Sequence, residues 1–291
     1  MELFLDILLE SLIDAAKMLP FLLVMFFLIE FFEHRAGNKA LALLTRASKC
    51  APVAGALLGV VPQCGFSVLA SGLYAKRLIT MGTLLAVFLS TSDEAIILLI
   101  YHRELLGEVL IMALIKVAVG IAFGYLCDAV FRSQAADGAA IQQAHTDKCH
   151  EHCGCSCNSI GAMVKTVILH SLKVFAYIFV ASLILSSIVA WIGEDVLSEF
   201  MMKGTFVQPL LATLVGLIPN CAASVIIAEA YIDGMLSFGS LLAGLCAAAG
   251  VGILVLFQEN KSVKNSILVL VILVVVSAVV GIAADAVAML L

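Results

Sequence analysis

Apolar residues in this chain run in blocks, not in stripes. Segments 11–33, 79–101, 108–131, 164–191, 236–257 and 265–291 are each apolar for longer than the about 20 residues that a helix needs to cross hydrocarbon. Two further apolar stretches, 50–74 and 205–231, carry a proline near their centres. This pattern predicts an all-α integral membrane protein. The first span follows Met-Glu-Leu-Phe-Leu-Asp, acidic where a signal peptide would be basic, so it is expected to stay uncleaved. Composition agrees: 63% of the 291 residues are hydrophobic and 13% charged, with mean hydropathy +1.15. A soluble chain would need more charge to cover its surface.

The chain contains an internal repeat. Gly59-Val-Val-Pro62-Gln63-Cys64-Gly-Phe-Ser67-Val68 returns as Gly216-Leu-Ile-Pro219-Asn220-Cys221-Ala-Ala-Ser224-Val225. The same register pairs Pro52 with Pro209, Tyr74 with Tyr231, Gly82 with Gly239, Gly124 with Gly281 and Asp128 with Asp285. One residue out of step, Asp14 falls on His170 and Lys17 on Lys173. Chance similarity between apolar segments supplies Leu and Val freely, but not Pro-amide-Cys with Ser at a fixed offset. The expected organisation is a first transmembrane repeat over 1–131, a His/Cys-rich loop over 132–163 and a second repeat over 164–291.

Charge sets the expected orientation. Segment 50–74 lies between Arg35, Lys39, Arg46 and Lys49 on one side and Lys76-Arg77 on the other. A single crossing would put one basic cluster outside, against the positive-inside rule. Two half-length helices meeting at Pro62-Gln63-Cys64 would keep both inside. Segment 205–231 is flanked instead by Glu194, Asp195 and Glu199, opposed by Lys203, and then by Asp233. Each half is therefore expected to hold three full transmembrane helices and one broken, re-entrant hairpin. With an odd number of crossings per half, the repeats are inverted. The alternative is that Pro62 and Pro219 merely kink full spans, which membrane helices tolerate.

Inverted repeats with broken helices place transporter binding sites at the midplane. Pro62, Gln63, Cys64 and Ser67, with Pro219, Asn220, Cys221 and Ser224, are the candidate substrate-binding residues. Thiolates suit thiophilic ions, whereas amide and carbonyl oxygens suit harder ones. A buried Cys is also commonly a small hydrophobe. Ionisable groups in apolar spans are costly and mark ion pathways. The candidates for coupling or ion coordination are Asp14, Lys17, Ser92, Asp93, Glu94, His170 and Lys173. Asp93 and Glu94 are adjacent carboxylates in an apolar run, and their repeat partners are Gly250 and Val251. They suit Mn²⁺ or a proton relay; alternatively they reach water near a helix end.

The loop carries His145, Cys149, His150, His152, Cys153, Cys155 and Cys157 within thirteen residues. Four thiols and three imidazoles make a soft-metal capture segment by composition, without a zinc-finger spacing. Topology places it in the cytoplasm, where thiols stay reduced. No Gly-x-x-x-x-Gly-Lys-Ser/Thr occurs, so the chain carries no P-loop and transport must run on a gradient or a partner. The net charge of −5 decides nothing, because topology follows where Lys and Arg sit.

Val-Pro-Gln-Cys-Gly-Phe at 61–66, Ser-Thr-Ser-Asp-Glu-Ala at 90–95 and Ile-Pro-Asn-Cys at 218–221 resemble the putative ten-transmembrane heavy-metal exporter family. That family is related by name to arsenic permeases and is also labelled a manganese transporter. The resemblance covers nearly the whole chain outside 132–160, and ten segments agrees with scoring each hairpin as two. It implies a non-enzymatic, multi-pass inner-membrane protein. The expectation is a secondary transporter exporting zinc, cadmium, arsenite or a similar ion by alternating access. Its partners would be lipid, the ion and a second copy of the chain, with no nucleic acid. No cofactor would stay bound, and protons could be coupled. A manganese transporter, an anion carrier using Lys17 and Lys173, and a non-transporting metal receptor stand as alternatives.

Overall fold

The computed structural model describes residues 50–63, 65–92, 94–131, 207–260 and 262–290, with isolated helical positions at 23, 172, 175–177, 179, 180, 183 and 184. Among the described residues there are ten α-helices with defined bounds, one short 3-10 helix (Arg103–Leu105) and no strand. Five belong to the first half: α1 (Ala51–Gly59), α2 (Gly65–Ala75), α3 (Met81–Ser90), α4 (Glu94–Tyr101) and α5 (Leu106–Val130). Five belong to the second: α6 (Gln208–Gly216), α7 (Cys221–Ile232), α8 (Phe238–Ala247), α9 (Gly252–Glu259) and α10 (Val263–Leu290). The second set starts 157, 156, 157, 158 and 157 residues after the first, the offset of the sequence repeat.

Among the described residues, α5 and α10 run uninterrupted long enough to cross hydrocarbon, at about 37 and 42 Å for 1.5 Å per residue. Their outer faces present Leu110, Ile111 and Leu114, and Ile267, Val271, Val275 and Val279, all exposed. Such apolar stripes have a favourable solvent only in lipid. Among the described residues, they and Phe238–Glu259 (hydropathy 2.4) are the segments apolar and long enough to span a membrane, and the protein is multi-pass.

The expectation of two breaks, at 62–64 and 219–221, needs extending. Segments 79–101 and 236–257, read from sequence as uninterrupted spans, are broken too. The first stops at Ser90 and resumes at Glu94, the second stops at Ala247 and resumes at Gly252. At the first, the Ser90 hydroxyl donates to the carbonyls of Ala86 (2.8 Å) and Val87 (3.1 Å), and the Thr91 hydroxyl to Val87 (2.7 Å). Hydroxyls bonded back into their own helix compete with its continuation. At the second, Gly250 takes φ +57, a left-handed conformation that ends a helix and suits glycine.

Helix α3 is buried along its whole length, and α8 everywhere except Phe238. They are the centre of the bundle, apolar on every side as a fully enclosed helix must be. Each is held at its start in the same way. Thr80 caps α3, accepting from the N–H of Thr83, and Ser237 caps α8, accepting from that of Ser240. Asp128 on α5 then accepts from Thr80 Oγ1 and from the Gly82 N–H, both at 2.8 Å. Asp285 on α10 accepts from Ser237 Oγ at 2.7 Å and from the Gly239 N–H at 2.8 Å. Within each half, the first short helix and the long helix pack on the central one. Between halves the packing is exchanged: α2 lies on α9, and α7 on α4. Ser71 Oγ seals the first of these contacts, donating to the carbonyls of Gly252 (2.7 Å) and Ser67 (2.8 Å).

Candidate substrate site at the helix breaks

The two proline turns share one pattern of backbone hydrogen bonds. In the first, Val61 N–H donates to Leu58 O (3.3 Å), Gln63 N–H to Val61 O (2.7 Å) and Phe66 N–H to Gln63 O (3.2 Å). In the second, Ile218 donates to Val215 (3.0 Å), Asn220 to Ile218 (2.7 Å) and Ala223 to Asn220 (3.2 Å). Proline explains the interruption, since it has no N–H to continue the ladder and its ring obstructs the preceding turn. Asn220 then restarts the chain as the N-cap of α7, its side-chain oxygen accepting from Ala222 N–H at 3.1 Å. Cys221, not disulfide-bonded and partly exposed, is the first residue of α7. Ser224 lies one turn on, buried, with its hydroxyl donating to the Cys221 carbonyl at 2.9 Å.

In the first half Pro62 is exposed and Gln63 partly so. Ser67 is fully buried and faces α9, where a Cβ added at Gly252 would sit 2.7 Å from its Cβ and Oγ. The structure joins two of the sequence motifs. Ser92 N–H donates to the Gly59 carbonyl at 2.9 Å, and the backbones of Pro62 and Ser92 pair as a single parallel bridge. Ser92, which precedes the paired acids in the chain, therefore lies against the first proline turn. Asp14, Lys17, Cys64, Asp93, His170, Lys173 and the loop residues His145, Cys149, His150, His152, Cys153, Cys155 and Cys157 lie outside the described residues, as does the side chain of Glu94. Among the described residues, no three His, Cys, Asp or Glu side chains gather into a metal-ion group.

One residue of the site went unread in the sequence. Lys116, on α5, is 2% exposed. Its ammonium donates to the Thr91 carbonyl at 2.5 Å and to the Leu245 carbonyl at 2.8 Å. Thr91 is the C-cap of α3, and Leu245 is near the end of α8, where Ala249 N–H turns to Ala247 O. A helix broken inside a membrane leaves such carbonyls needing donors. A cation there also meets the negative ends of two helix dipoles. The signal was available: a lone lysine within an apolar span is a costly residue that marks a site. Its repeat partner is Leu273, fully buried, so this charge, like the paired acids, belongs to one half only.

No curated protein and no solved structure matches this chain. The family model described as "Putative, 10TM heavy-metal exporter" matches residues 2–196 and again 162–289. The second match takes in all five helices of the second half. Multi-pass helices, the broken pairs and this coverage lead to one assignment: the chain belongs to the putative ten-transmembrane heavy-metal exporter family.

Proposed function

We propose that this protein is a secondary transporter that exports a thiophilic metal or metalloid ion by alternating access between its two halves. The observation that carries this reading is the pair of proline turns with matching backbone hydrogen bonds, one of which puts Cys221 at a helix start beside Asn220. Paired interruptions in membrane helices free backbone groups for an ion, and thiols added at both select soft ions over hard ones. Cys64, Cys221, Gln63 and Asn220 form the central site, with Pro62, Pro219, Ser67 and Ser224 shaping the turns. Asp93 and Glu94 serve coordination or coupling; Ser92, which precedes them in the chain, pairs its backbone with Pro62 of the first turn.

The halves are inverted in the membrane, as the basic flanks of 50–74 and the acidic flanks of 205–231 support. The 132–163 loop then lies in the cytoplasm of an inner membrane and collects metal for export. Lys17 and Lys173 balance charge within the bundle. The test is cadmium uptake into proteoliposomes by the wild type and by the Cys64→Ser/Cys221→Ser double variant. Full transport by the double variant would remove the thiols from the site. Manganese flux abolished by Asp93→Asn, with no cadmium flux, would transfer the site to the carboxylates.

A further inference from the structure

We infer that Lys116 is the proton-exchanging group of this transporter, and that its cargo is therefore a cation. The inference rests on the transporter reading above. Lys116 is the buried ammonium that links a broken helix of the first half to one of the second, through Thr91 and Leu245. Thr91 adjoins Ser92, whose backbone pairs with Pro62 in the turn that would hold the ion. A cation entering beside that pairing meets a like charge in a medium of low dielectric, where repulsion is strong. Lysine can relieve it, because unlike arginine it can lose a proton when buried.

The step is Lys116–NH₃⁺ giving Lys116–NH₂ and H⁺, with the proton leaving to water on the side from which the cation came. The neutral amine keeps two N–H bonds, one for each carbonyl, so the helix ends stay satisfied in both states. When the cation departs on the other side, the amine takes a proton there, and one proton crosses against each cation.

The titratable groups on the described elements around Lys116 can be named. Helices α1 and α3, which pack on α5, carry no ionisable side chain, and α8 contributes Cys246, within electrostatic reach of Lys116. The acids nearest in the chain to Thr91 are Asp93 and Glu94, the latter at the start of α4. On α5 itself the carboxylates are Glu108 and Asp128, about 12 and 18 Å along the axis. Arg103 and Glu104 stand at the exposed turn before it.

The experiment is Cd²⁺ movement into proteoliposomes with a pH-reporting dye inside, for the wild type, Lys116→Gln and Lys116→Arg. Gln keeps hydrogen-bond donors without a charge, and Arg keeps donors and a charge that is not released. Wild-type protein is expected to move protons opposite to Cd²⁺, and an imposed pH gradient to drive Cd²⁺ uphill. In Lys116→Gln, Cd²⁺ should run down its own gradient with the opposing proton movement lost. In Lys116→Arg, exchange should be lost although the protein folds and remains monodisperse. Wild-type Cd²⁺ flux without proton movement, or proton-driven flux retained in either variant, would overturn the inference and leave the transporter reading standing. Absence of any wild-type Cd²⁺ flux would overturn both.

Discussion

Gly59 and Ser92 are joined across two helix breaks by one backbone hydrogen bond of 2.9 Å, from the Ser92 N–H to the Gly59 carbonyl. A Cβ on Gly59 would lie 2.1 Å from Ser90 Oγ and 2.8 Å from the Val87 carbonyl, so the approach leaves no room for a side chain. Gly59→Ala should therefore force the turns apart, destabilise the protein by about 1–3 kcal/mol as overpacking does, and abolish transport. Gly107→Ala is the control, since nothing lies within 4 Å of its Cβ position. Thermal unfolding in detergent, read beside flux, checks both.

Asp128 and Asp285 fix the starts of α3 and α8 by matching pairs of bonds. Replacing either by Ala takes the acceptor from the Gly82 or Gly239 N–H, at a cost of about 1–3 kcal/mol, while the Thr80 and Ser237 hydroxyls keep Thr83 and Ser240 as partners. The two losses should be similar, and Asn should recover part of each because its carbonyl oxygen still accepts. Midpoints from detergent unfolding measure this. A large loss at one site and none at the other would show that the two halves are not held alike.

The residues that make these bonds recur in the sequence, but the bonds themselves could come only from the fold. Gly82 and Asp128 recur as Gly239 and Asp285, and the Pro-amide-Cys motif recurs with matching backbone hydrogen bonds around its prolines. The breaks after Ser90 and Ala247 were not legible in the same way. Ser-Thr-Ser is tolerated within membrane helices, and Ala-Ala-Ala-Gly reads as helical until Gly250 is seen at positive φ. The exchange that lays α2 on α9 and α7 on α4 is tertiary, and no local pattern encodes it. Lys116 announced itself as a charge in an apolar span, but its partners, 25 and 129 residues away, could come only from the fold.

The 132–163 loop gives a prediction independent of the helix breaks. Replacing His145, Cys149, His150, His152, Cys153, Cys155 and Cys157 by Ser and Gly should lower the number of Cd²⁺ or Zn²⁺ ions bound by purified protein. Flux at saturating metal should remain if, as proposed, the loop collects ions and the breaks carry them. Metal counted by atomic absorption after desalting, beside flux across a concentration series, separates the two roles. Loss of saturating flux would make the loop part of the pathway itself.

Flux across Zn²⁺, Cd²⁺, Mn²⁺, Cu⁺ and arsenite in proteoliposomes, with and without a pH gradient, is the decisive measurement for the thiol site at the paired breaks. Wild-type protein should carry a thiophilic ion, and Cys64→Ser/Cys221→Ser should reduce that flux about tenfold or more, because serine oxygen is a hard ligand where the ion prefers sulfur. Undiminished flux in the double variant, or flux of Mn²⁺ alone, would contradict it.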